Sequence, residues 1–147
     1  MKIPSRADWG DINKDDLDAK SAFDSFLGKS FSEAEAMFQR NALYYQEELQ
    51  SMPAVPFNFY APALVKYITS EHAKGDSDGA SSFLHMVSWI LKSNRGILDS
   101  KTEDLLLRAA RQIAKNQDYY EADVDIYGNF SEIYFEIQKL ATDRPGT

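Results

Sequence analysis

Helix starts and stops are marked along this chain at short intervals, and those marks constrain its fold more than any other feature. Ser30 and Ser32 precede Glu33 and Glu35 at the three-residue offset of a capping box, in which a hydroxyl takes a first-turn N–H and the carboxylate reaches back to the cap. Asn13 with Asp16, and Ser100 with Glu103, repeat that offset. Asp76-Ser77-Asp78-Gly79 offers further caps. Pro56 suits a first helical turn, where its missing N–H has no intrahelical partner in any case. Gly28, Gly75 and Gly96 supply stops.

These signals predict helices over 15–27, from the Ser30–Ser32 caps to about 50, over 56–73, 80–93, from Ser100 to about 116, and over 131–141. Apolar residues recur at helical spacing inside them, as Leu17, Ala22, Phe23 and Phe26 do in the first and Leu105, Leu106, Ala109, Ala110 and Ile113 in the fifth. Pro62 kinks the third helix or shifts its start. The fourth, with Phe83, Leu84, Met86, Val87, Trp89, Ile90 and Leu91, is apolar on most sides and is expected to be the most buried. No alternating strand pattern and no internal repeat appears. The expected fold is all-α, a single-domain irregular bundle of about six helices over 1–147, with 1–12 and 142–147 extended or flexible.

Composition removes whole classes of function. A chain of 147 residues buries roughly 68–70% of its unfolded surface, enough for one core. The absence of cysteine excludes disulfides, thiolate nucleophiles and iron–sulfur sites, and suits a reducing cytoplasm. Neither a signal peptide nor the ~20 consecutive apolar residues of a membrane span is found, so a cytoplasmic protein without a membrane partner is expected. His72 and His85 form no metal-ligand pattern; one suits a helix C-terminus and the other a packed, hydrogen-bonded position. Asp123-Val124-Asp125-Ile126-Tyr127-Gly128 resembles the front of a calcium loop, but Tyr134 stands where a bidentate glutamate must close the coordination. With no nucleophile elbow and no glycine-rich phosphate cradle, the expectation is no catalytic residue, no metal and no cofactor.

Charge distribution points to a protein partner. Sixteen Lys and Arg against 23 Asp and Glu leave a net −7, which opposes nucleic acid binding. From Asn116 to Gln138 the acids are Asp118, Glu121, Asp123, Asp125, Glu132 and Glu136, with no Lys or Arg, so this segment carries −6. Tyr119, Tyr120, Tyr127, Phe130, Tyr134 and Phe135 are interleaved with them, a mixture of rigid rings and carboxylates suited to a basic protein surface. The partner-binding residues expected from this pattern are Asp118, Tyr119, Tyr120, Glu121, Asp123, Asp125, Tyr127 and Glu132. A second acidic stretch, Asp8, Asp11, Asp15, Asp16 and Asp18 beside Trp9, extends the negative face if the chain ends meet.

The run Arg6-Ala7-Asp8-Trp9-Gly10-Asp11, then Asp16-Leu17, then Met52-Pro53-Ala54-Val55-Pro56-Phe57-Asn58-Phe59-Tyr60, resembles a group of small helical bacterial proteins associated with secreted-toxin loci. The resemblance covers about the first 95 residues and rests on short structural motifs. It implies an immunity-type role, in which a cytosolic protein binds and neutralises a cognate, basic toxin domain. The alternative is an architectural helical protein that buries Phe57, Phe59 and Tyr60 in a symmetric homodimer.

Overall fold

The structure, a computed structural model, describes residues 2–143. It is all-helical, without a strand among the described residues. In chain order the helices are α1 (Arg6–Trp9), α2 (Leu17–Phe26), α3 (Phe31–Arg40), α4 (Ala42–Leu49), α5 (Ala54–Ile68), α6 (Ser77–Ser93), α7 (Ser100–Lys115), α8 (Val124–Tyr127) and α9 (Phe130–Thr142). Short 3-10 turns occupy Glu71–Ala73 and Arg95–Ile97.

Three of these nine exceed the expected six, and each has a local cause. Residues 1–12 are not simply extended: Ser5 and Asp8 make a capping box that starts α1, and Trp9 is buried, with its ring edge-on to Phe23 at 5.6 Å. The second expected helix breaks at Asn41, whose extended backbone ends α3 while its side chain accepts the Tyr44 N–H and opens α4. In the acidic segment, Asp123 caps the single turn of α8. Thr142 closes α9, and the rest of the expected loose tail, from 144 onward, lies outside the described residues.

The caps at Ser30 and Asp76 form as expected, whereas α2 is capped by Asp16 rather than Asn13. Ser30 and Glu33 exchange both bonds of their box, and the Ser30 backbone and hydroxyl hold the Glu33 carboxyl below its ordinary 4.5. Before α7 the cap is Asp99, not Ser100: its carboxylate takes the Thr102 N–H at 2.7 Å, while Glu103 pairs with Arg95 at 3.0 Å. Arg95 also donates to the carbonyls of Leu140 and Ala141, satisfying the C-terminal turn of α9.

One continuous set of buried side chains runs from Trp9 to Ile137, with α5 and α6 supplying its centre. Pro62 lies inside α5 rather than at its start. Phe57, Phe59 and Tyr60 are core residues, so the apolar face expected to drive a homodimer is already filled from within. Tyr60 packs on Phe26 at 5.0 Å, and its hydroxyl lies 2.8 Å from the carbonyls of both Phe26 and Lys29, which fixes the corner between α2 and α3. His85, expected to be packed, is exposed on α6. No described helix is long and apolar enough to cross a membrane.

Candidate functional site

The acidic segment separates its charges from its rings. Asp118, Glu121, Asp123, Asp125 and Glu132 are all exposed, and among the described residues none of them is in an ion pair. Tyr120 is 1% exposed and donates to the Ile68 carbonyl at 2.6 Å, so this expected contact residue is a core residue instead. Tyr119 is half-buried, with its hydroxyl 3.4 Å from the Ser70 carbonyl. Tyr127, also half-buried, donates to Asp78 at 2.6 Å and lies 3.0 Å from the Ser77 hydroxyl. The tyrosines anchor the segment onto the end of α5 and the start of α6.

Gln117, which sequence reasoning passed over, shapes the segment from inside. Its amide donates to the carbonyls of Ala122 and Gly128 at 3.0 and 2.9 Å, and its oxygen accepts the Phe130 N–H at 2.9 Å. One side chain therefore spans both ends of the turn. Gly75 completes the seat: its N–H donates to the Tyr119 carbonyl at 3.0 Å, and its φ of 80° suits glycine. A Cβ there would also strike the Glu121 carboxylate. Beside the carboxylates, Val124, Ile126 and Phe135 are 53%, 73% and 59% exposed, giving the patch apolar contact area.

A second acidic surface lies elsewhere, between α2, α4 and α6. Asp18, Ser21, Tyr44, Glu47, Glu48, Gln50, Ser51 and Trp89 enclose a groove of about 400 Å³ that has no Lys or Arg in its lining. Tyr44 and Trp89 are nearly half exposed, whereas Glu48 is 95% buried. Ser21 donates to Oε2 of Glu48, and Oε1 has no hydrogen-bond partner. The sequence signal was the acid pair Glu47-Glu48, which reads as surface, whereas in α4 Gln46 and Glu48 are buried.

Comparison with protein-family models, curated proteins and solved structures gives no match. The two acidic stretches of the sequence are held by different elements. Trp9 lies beside Tyr60 of α5 and Asp18 lines the groove with α4 and α6, while Tyr120 meets α5 at Ile68, about 12 Å beyond Tyr60 at the helical rise. No hydrogen bond, ion pair or ring contact joins them among the described residues. A larger groove of about 510 Å³ is walled by Ile3, Phe31, Phe59, Pro62 and Leu105, and its Asp99 carboxylate is engaged in capping α7. No group of three His, Asp or Glu able to hold a metal ion occurs among the described residues.

Proposed function

We propose that this chain is a non-catalytic acidic protein-binding domain that covers a cationic surface of a partner protein, in the manner of an immunity protein occluding a toxin. The observation that carries it is the segment from Asp118 to Phe135, where the exposed, unpaired carboxylates of Asp118, Glu121, Asp125 and Glu132 are interspersed along the chain with exposed Val124, Ile126 and Phe135 and the turn is braced by Gln117. Carboxylates at the rim steer a basic partner and select against acidic ones, while the apolar residues supply contact area that survives salt. Preorganisation lowers the cost of ordering the segment on binding.

The resemblance to proteins of toxin loci supports the same reading, since many nucleic-acid-attacking toxins present basic surfaces. The test is partner capture at low and moderate salt, using products of the neighbouring genes as candidates. Replacing Asp118, Glu121, Asp125 and Glu132 together by Lys is expected to abolish capture while costing less than about 0.5 kcal/mol of stability per site, as exposed charges do. Asp123 is left intact because it caps α8. Undiminished capture by that variant would sink the assignment of the patch.

A further inference from the structure

We propose that the groove between α2, α4 and α6 receives a single arginine side chain from a partner protein, with Glu48 taking the guanidinium and Trp89 stacking on it. Oε1 of Glu48 is a buried carboxylate oxygen without a donor. Buried polar atoms in native proteins are almost always satisfied, so an unanswered atom on a side chain that lines an open groove points to a donor that arrives with a ligand as the carboxylate turns outward. The surroundings state the sign of that ligand: Asp18 and Glu47 stand at the rim, both exposed and neither ion-paired among the described residues.

Shape narrows the choice among cations. A guanidinium is planar, permanently charged and carries five N–H donors in a fork that matches a carboxylate edge-on, leaving its face free to stack on an aromatic ring. Trp89 and Tyr44, 42% and 48% exposed, offer two such rings on the groove wall. A lysine ammonium is also attracted to the indole face, but as a point charge it lacks the planar fork that pairs with a carboxylate edge-on while stacking on the ring.

The groove lies apart from the acidic segment. Tyr127 of the segment bonds Ser77, and Trp89 lies a further 12 positions along α6, about 18 Å at the helical rise. Failure of one site therefore leaves the other untouched.

The experiment uses the two tryptophans of the full chain, which give separate indole N–H resonances. Trp9 is buried and serves as the internal control, while Trp89 reports the groove. N-acetyl-arginine methylamide is titrated in parallel with its lysine and citrulline counterparts. The expected result is a saturable shift of Trp89 alone, several-fold weaker with lysine and absent with the neutral citrulline probe. Glu48→Gln should weaken arginine binding about tenfold or more, since the charge-assisted bond is lost. Asp18→Asn and Glu47→Gln, which are exposed and leave the core alone, should each weaken it several-fold. An unmoved Trp89 resonance, an equal response to citrulline, or indifference to all three substitutions would overturn the proposal. Tighter binding of free arginine than of the capped form would also overturn it, by making the ligand a metabolite. Loss of partner capture in the loop-reversed protein with Trp89 still responding would leave the groove standing on its own.

Discussion

Between Asp118 and Glu132 the carboxylates face solvent and most of the rings turn inward, whereas in the groove between α2, α4 and α6 a carboxylate is buried and the rings stand exposed. The segment is a finished piece of structure: Gln117 satisfies three backbone groups, and Tyr120 and Tyr127 bond to their neighbours. The groove is unfinished, with Oε1 of Glu48 left without a donor. Acidic composition alone does not distinguish these cases. What separates them is that the folded chain leaves an oxygen of Glu48 unanswered on a side chain that lines an open groove; Gln46 Oε1 and Trp9 Nε1 are also unanswered, but neither lines that groove.

The largest expected effect strikes both regions at once. Burial, reinforced by the nearby Glu33 charge, pushes the Tyr60 hydroxyl from its ordinary 10 up to about 12, and burial with Tyr119 and Asp76 nearby does the same for Tyr120. Tyr67 is raised further still, by burial and by its hydrogen bond to Asp76. A raised folded-state value means the neutral ring is favoured by folding. That stability is intact below pH 10 and is lost as the pH climbs from there through about 12, because the unfolded chain ionises first. Alkaline titration followed by circular dichroism should show cooperative unfolding in that window rather than gradual phenol ionisation.

Smaller changes separate the two regions. Tyr120→Ala removes a core ring from beneath the acidic segment and should cost about 3–5 kcal/mol in chemical denaturation. Gln117→Ala should cost about 1–3 kcal/mol, for three lost hydrogen bonds partly replaced by water. It should also raise amide exchange at Phe130, whose N–H it held. In the groove the sign reverses: Glu48→Met removes an unsatisfied buried oxygen and should raise stability by about 1–2 kcal/mol, roughly 2–4 °C in Tm per kcal/mol. A destabilised Glu48→Met protein would mean the Ser21 contact outweighs the orphan oxygen, and would erase the contrast drawn between the two surfaces.

Local chemistry was legible in the sequence where a cap and its partner lie within one turn, as for Ser30 with Glu33 and Gly28 as a stop at φ 78°. Asn41 was misread because a polar residue in a helical run carries no mark of whether its side chain will take the Tyr44 N–H or face water. The same limit hid the groove. Glu48 lies 11 residues after Met37 and so falls on the buried stripe with or without the break, but a carboxylate carries no mark in the sequence of being drawn inward to a partner such as Ser21. Charge told which segment was acidic, but burial of Tyr120 against Ile68 depends on residues 52 positions away.

The hydroxyl of Tyr60 binds carbonyls 34 and 31 residues earlier in the chain, and that of Tyr120 one 52 residues earlier. During synthesis, then, α2 and α3 leave the ribosome without the ring that closes them, and Phe26 lacks its Tyr60 partner until α5 has emerged. A chain stalled just before Tyr60 should be cut readily by protease within its first two long helices, and one carried past α5 should resist. The fold of this protein is thus assembled backwards, each later segment locking an earlier one.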